Sequence, residues 1–298
     1  MKSYTTGRAF FGSLTKDTSS ANLTLGDEMA NDDYRKICAK RDWPWLERLR
    51  TLTTIASTQN YNLPYDCDLV RSINVVVSSK TYVPRHCPSR QLWDRLNYST
   101  QTSDIPEWYY VYNGQVGLWP KPASASNTIN VNQKCRVIDL SAADYTTGTI
   151  VSVANGGTAV VGSGTSWTAQ MVGRFIRITH IDTAGTGDGE WYEISAVTDA
   201  THLTLTRAYG GTAIAAGSAT YIIGQMPWLP ETFHPMPWIR AAAIYWAKED
   251  DTRAAGLQTM YDDYLADLFG GGINNTTDLV INDGGRSEII NPNLTISL

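Results

Sequence analysis

Between Thr24 and Arg41 the chain has the period of an amphipathic helix: Ala30, Tyr34, Ile37, Cys38 and Arg41 fall on one face. Thr24 can cap its start, and Asp27 and Glu28 lie in the first turn, where the helix dipole favours negative charge. The segment Trp43-Pro44-Trp45-Leu46 should end it, because Pro44 disfavours helical geometry at the residue before it. Residues 1–20 are polar and rich in Gly, Ser and Thr, with Phe10-Phe11 as a lone apolar pair. They read as an arm docked by those two rings.

From 48 to 136 the pattern shortens to strands. Leu52–Thr58 and Leu69–Val77 are β-branched runs, and Thr128–Leu140 looks like another. Trp108-Tyr109-Tyr110-Val111-Tyr112 leads into Asn113-Gly114, a strong two-residue hairpin signal, with Gln115–Trp119 as the return strand. Ser89–Tyr98, carrying Leu92, Trp93 and Leu96, reads as a short helix.

Near Ser141 the composition shifts to Gly, Thr, Ala and Val, with turn signals about every ten residues. Strands are predicted at 148–153, 158–161, 175–180, 191–197, 202–205 and 219–223, the spacing of a small all-β barrel or sandwich. Helical periodicity returns from Glu231 to Phe269 in two stripes separated at Glu249-Asp250-Asp251, and Gly270-Gly271-Gly272 should stop it. Residues 273–298 have no helical period but carry the apolar clusters Leu279-Val280-Ile281, Ile289-Ile290 and Leu294, the make-up of a tail that adds a strand to a partner. The expected fold is α+β. An N-terminal helix and a C-terminal helix pair, with antiparallel strands, form a discontinuous core domain over 1–140 and 222–272. The β-domain 141–221 is inserted into it, and 273–298 is an extended docking tail.

Charged residues are 18% of the chain, whereas 10 Trp and 16 Tyr accompany only 5 Phe. Low charge with many amphipathic rings fits extensive protein–protein contact. The net charge of −5 disfavours a protein that grips DNA non-specifically, since such binding rests on Lys and Arg displacing counterions. Cys38, Cys67, Cys87 and Cys135 have neither zinc nor CxxC spacing and read as free thiols in a reducing compartment. Neither a signal-peptide core nor a membrane-spanning apolar run is found.

The search for chemistry points away from an enzyme. Gly162-Ser163-Gly164-Thr165-Ser166 lacks the Lys of a phosphate loop. Asp182, Asp188 and Glu190 flank a glycine-rich loop without the spacing of an EF-hand, and a solvated hairpin tip accounts for them better. His86, His180, His202 and His234 are scattered, and no nucleophile motif is present. No cofactor and no metal are expected.

Four segments in order resemble the head-to-tail adaptor (connector) proteins of tailed phages: Ala30 to Ile37 with Asp42 to Leu46, Tyr61 to Pro64 with Asp66, Ile105-Pro106 leading to Gly117 to Pro122, and Leu229 to His234 followed by the helical stretch. Parts of the insert, 162–167, 172–178 and 190–194, resemble β-domains of phage neck and tail proteins. The resemblance implies a non-enzymatic virion protein in the neck, assembled in the host cytoplasm. Its copies would form a closed ring, usually a dodecamer, that joins the portal protein to tail or other neck proteins and lets DNA pass without sequence-specific binding. On that reading Leu279, Val280, Ile281, Ile289, Ile290 and Leu294 dock on the portal. Trp238, Tyr245, Tyr261 and Tyr264 contact neighbouring subunits, and Asp250, Asp251, Asp262 and Asp263 face the channel. The competing reading is a carbohydrate- or receptor-binding module in which Trp167 and Trp191 stack on sugars.

Overall fold

A computed structural model describes residues 2–179, 187–249, 251–270, 279–283 and 286–290. The first two elements are helices, α1 (Tyr4–Thr15) and α2 (Ser20–Ala39). The expected arm is therefore a helix. Ser3 caps α1 by accepting the Thr6 N–H at 3.3 Å, and Lys16 ends it in the left-handed region at φ 57°. What makes α1 helical is packing: Phe11 is fully buried, and a Cβ at Gly7 would overlap the indole of Trp238. Gly26 of α2 likewise admits the Phe11 ring. The glycines that suggested a loose arm are sites of close helix approach. Helix α2 starts four residues earlier than its periodicity predicts. Ser19 caps it through the Asn22 N–H (3.3 Å), while the Thr24 hydroxyl only donates back to the Ser20 carbonyl.

A single 3₁₀ turn at Pro44–Leu46 leads into β1 (Glu47–Thr53), β2 (Asn60–Asn62), β3 (Cys67–Val77), β4 (Lys80–Tyr82) and β5 (Arg85–His86). Then come α3 (Arg90–Asn97), β6 (Trp108–Tyr112), β7 (Gln115–Trp119) and β8 (Thr128–Cys135). Two four-stranded sheets result, in the orders β1-β8-β3-β4 and β2-β7-β6-β5. They pack face to face, Ile73, Val75, Ile129 and Val131 of one against Tyr61, Val116 and Leu118 of the other. The predicted hairpin forms, with Asn113 at φ 49° and Gly114 at φ 69°. Strand β1 lies upstream of the predicted Leu52–Thr58 because its extent is set by pairing with β8, from Glu47↔Lys134 to Thr53↔Thr128. Its first residues are polar, so β-propensity missed them.

The seven strands β9 (Thr149–Val153), β10 (Ala159–Ser163), β11 (Phe175–Ile178), β12 (Trp191–Asp199), β13 (His202–Leu205), β14 (Ile214–Ala219) and β15 (Tyr221–Gly224) make one antiparallel sheet. Its order is β14-β9-β10-β13-β12-β11-β15. The two end strands are separated in the chain only by Thr220, so the sheet must curl until its edges meet. Its interior holds Ile150, Val160, Ile176, Ile194, Leu203 and Ile223. Strand β14 was not predicted, because Ile214–Ala219 is mostly Ala, Gly and Ser, with little β-propensity.

The chain then returns to helices α4 (Met236–Lys248) and α5 (Arg253–Gly270), the expected pair with a break between them. At the break, Asp251 Oδ1 accepts the Arg253 N–H at 2.8 Å. Residues of α1, α2, α4 and α5 build one core, from Phe11 through Tyr34 and Ile37 to Trp238, Ile239 and Leu268. The last described elements are β16 (Leu279–Asp283) and β17 (Arg286–Ile290). The protein is α+β.

Candidate assembly surfaces

The aromatic residues expected to meet neighbouring subunits lie at different depths. Trp238 is 1% exposed and packs against Gly7 and the Tyr4 ring, which leaves it no surface for another chain. Tyr261 is also buried. Its hydroxyl donates to Asp33 Oδ1 at 2.8 Å, and the Arg240 guanidinium lies over its ring. Burial pushes the Asp33 carboxyl up to about 6, opposed by that hydrogen bond and by Arg240, Lys36 and Lys40. Burial and the neighbouring Asp33 raise the Tyr261 hydroxyl in turn. Tyr245 and Tyr264 are half-buried, edge-on to Phe11 and Phe233. Each retains an outward part that a neighbour could cover.

Asp262 and Asp263 are exposed on α5, and Asp262 accepts from the Gln258 amide at 2.8 Å. Asp251 is held bidentately by Arg253, at 2.9 and 2.7 Å, and this guanidinium keeps its carboxyl below the usual carboxylate range. Asp250 lies outside the described residues.

Strands β16 and β17 pair antiparallel over five positions, Leu279↔Ile290, Val280↔Ile289, Ile281↔Glu288, Asn282↔Ser287 and Asp283↔Arg286. Among the described residues they form a two-stranded sheet of their own, hydrogen-bonded to none of the other sheets. Sequence reasoning identified these apolar clusters but not their mutual pairing, for which 284–285 supply a Gly-Gly turn signal. Leu294 lies outside the described residues.

A further surface escaped the sequence reading. A cleft of about 630 Å³ separates β1 from the curled sheet, with Ile138, Ser141, Ala142, Gln225 and Trp228 on its walls. Four exposed apolar side chains line it: Leu49, Tyr65, Ile138 and Val172, the first two 62% and 76% exposed. Arg48 bridges it by pairing with Glu193 at 3.2 Å while its guanidinium lies over Trp228. Burial lowers the pKa of Arg174 on the opposite wall. No periodicity in the sequence marks these residues, because they come from segments scattered between positions 34 and 228.

The sugar-stacking candidates are not arranged as a platform. Trp167 is 3% exposed inside the curled sheet, its Nε1–H donating to the Tyr221 hydroxyl at 2.9 Å. Trp191 is half-buried under the Arg177 guanidinium. In the Trp108–Tyr112 cluster, Tyr109 is buried and Tyr110 is stacked by Trp93 of α3. Asp188 accepts the Tyr192 hydroxyl at 2.5 Å, and its expected companion Asp182 lies outside the described residues. His234 is buried, bonded on one ring nitrogen to the Lys2 N–H and on the other to the Leu229 carbonyl, a packing role. Among the described residues no three His, Cys, Asp or Glu side chains group as metal ligands, and no helix is long and apolar enough to cross a membrane.

Three features stand out among the described residues: a self-paired hairpin of apolar sequence, an open cleft rimmed by apolar side chains, and exposed acidic residues on α5. No curated protein matches the sequence. The sequence model of the SU10 adaptor protein family does, over residues 12–284, from within α1 to just past β16. With nearly the whole chain matched, the protein belongs to the SU10 adaptor protein family, a family of phage head-to-tail adaptors, and is a structural component of a bacteriophage particle.

Proposed function

We propose that copies of this chain assemble into a closed ring that joins the portal to the tail and surrounds the DNA exit channel. The observation that carries this reading is the C-terminal hairpin. A lone two-stranded hairpin is marginal in water, and β16–β17 pairs with no other sheet of its own chain among the described residues. Its apolar positions Leu279, Val280, Ile281, Ile289 and Ile290 suit it to extend the sheet edge of a partner, which we assign to the portal. Leu294 belongs to the same docking segment.

A ring requires two different faces on each subunit, since head-to-tail contacts are heterologous. The cleft lined by Leu49, Tyr65, Ile138 and Val172 supplies one. The outer parts of Tyr245 and Tyr264 on the helical layer supply the other. Exposed Asp262 and Asp263 suit a channel lining, because a net-negative wall releases few counterions and lets DNA slide. The discontinuous core over 1–140 and 222–272 would form the ring body, with 141–221 projecting from it.

The test is binding of purified portal rings by the full chain and by a chain truncated after Gly272, with both preparations also imaged by electron microscopy. The full chain should form rings and bind; the truncated chain should form rings and bind at least tenfold more weakly, the loss expected for removing an anchor of ~1.4 kcal/mol or more. Equal binding by the two would remove the docking role of the hairpin. A full chain that stays monomeric on the portal would remove the ring.

A further inference from the structure

Two cysteines far apart in the chain, Cys67 at the start of β3 and Cys135 at the end of β8, are cross-strand partners in the antiparallel pairing of these strands. The hydrogen bonds around them define the kind of pair. The Arg136 N–H, one residue beyond Cys135, donates to the carbonyl of Asp66, one residue before Cys67, at 2.7 Å. The Cys67 N–H goes to the Pro64 carbonyl and not across the ladder. That is the pattern of a non-hydrogen-bonded antiparallel pair, in which opposed Cα atoms approach to about 4.5 Å and side chains stand closest together. A disulfide needs Cα atoms roughly 4.4–6.8 Å apart with both Cβ atoms on one side. Directly opposed residues of two antiparallel strands meet the second condition, and although the register shifts just after Cys67, the Cys135 thiol lies near enough to act on the charge of Cys67. Both thiols are free in this structure.

We propose that Cys67 and Cys135 are a latent disulfide pair, which closes in an oxidising medium and staples β3 to β8. Cys67 is partly exposed whereas Cys135 is buried, so Cys67 meets the oxidant and Cys135 resolves the intermediate. With a small disulfide such as oxidised glutathione, the Cys67 thiolate attacks one sulfur and expels a glutathione thiolate, leaving a mixed disulfide. The Cys135 thiolate then attacks Sγ of Cys67 and expels the second glutathione. Two protein thiols lose two electrons and two protons, and one glutathione disulfide becomes two thiols. The other two cysteines, Cys38 in α2 and Cys87 just after β5, are buried in different parts of the fold, and neither is paired across strands with another cysteine.

The neighbourhood sets the rate. Burial first, then Cys135, Asp66 and Asp68, push the Cys67 thiol up to about 11. Burial also raises Cys135, whose Sγ lies 3.5 Å from Asp66 Oδ2 and 3.4 Å from the Gln133 amide, while Arg50 pulls it the other way. Thiolate is therefore scarce at neutral pH. The reaction should be slow there and accelerate about tenfold per pH unit up to the range of the Cys67 thiol.

The experiment incubates the folded full-length protein with oxidised glutathione at pH 7, 8 and 9, quenches with an alkylating reagent and maps peptides without reduction. Expected are a peptide pair joined through Cys67 and Cys135, a loss of about 2 Da from the intact mass, two of the four thiols unalkylated, and a higher melting temperature for the oxidised form. A C38S/C87S double variant should give the same cross-link. Persistent glutathione adducts on Cys67 without the cross-link, or a cross-link that forms only in denaturant, would overturn the proposal.

Discussion

The helical unit and the curled seven-stranded sheet solve the problem of core formation in opposite ways. The sheet is contiguous, from β9 to β15, and its interior is mainly aliphatic: Ile150, Val160, Ile176, Ile194, Leu203 and Ile223. Each strand finds most of its partners within the same eighty or so residues, so pattern and turns suffice to specify it. The helical core unites α1 and α2 with α4 and α5 across the whole length of the β-structure between them. It is held by buried polar ties as well as by apolar packing: Asp33 to Tyr261, the Trp228 N–H to the Tyr34 hydroxyl at 2.7 Å, and Asn31 to both backbone groups of Leu140. A buried polar group left unpaired is costly, so such ties reward one arrangement of distant segments and penalise others. The curled sheet has buried polar ties too, such as Trp167 to Tyr221, but they join segments of the same stretch of chain, whereas those of the helical core hold together segments on either side of the β-structure.

This contrast can be broken by experiment. The largest effect is expected from Trp238→Ala, which empties the centre of the helical core at a cost of about 3–5 kcal/mol. Hydrogen exchange should then accelerate in α1, α2, α4 and α5 while the amides of β10, β12 and β13 keep their protection. Equal acceleration in both regions would show that the two cores unfold as one and that the contrast is only topological.

A smaller effect concerns Asp33. Burial raises its folded-state pKa to about 6, above its ordinary value of 3.8. Between those values the folded protein holds a proton that the unfolded chain has released, so stability should fall as pH rises from about 4 to 6, by about 2 kcal/mol from this group. Urea titrations across that window should show this contribution in the parent, and Asp33→Asn should remove it. An identical pH slope in the two proteins would mean that Asp33 titrates normally, its burial fully offset by the Tyr261 hydrogen bond and the nearby cations.

The smallest effect separates two caps. Ser19→Ala should cost about 1 kcal/mol, because the Ser19 hydroxyl satisfies a free N–H at the start of α2. Thr24→Ala, one turn inside the helix, should stay within about 0.5 kcal/mol of the parent. The order of the two melting temperatures decides where α2 begins.

Elements were legible in the sequence where their determinants are local. The Asn113-Gly114 hairpin, α3 and most strands of the curled sheet follow from turn chemistry and periodicity over ten residues or fewer. Helix α1 was illegible because Gly7 and Gly12 weaken its intrinsic propensity. Only contact with Trp238, more than two hundred residues away, makes a glycine at position 7 favourable. The same contact removes Trp238 from any intersubunit surface, which no local pattern could reveal. The cleft rimmed by Leu49, Tyr65, Ile138 and Val172 was equally hidden. An apolar residue in a sequence does not declare whether it is covered, and here four short segments leave one side chain each uncovered in the same place.

By itself the sequence determined the α+β character, most of the helical and β segments and the ordered motifs that mark a phage adaptor. Only the tertiary structure decided which aromatic rings are core, which apolar residues stay exposed, and that Cys67 and Cys135 face each other. The physical reason is range. Propensity, capping and turn chemistry act over a few residues, whereas burial and cross-strand register depend on segments that meet only after the chain has closed long loops.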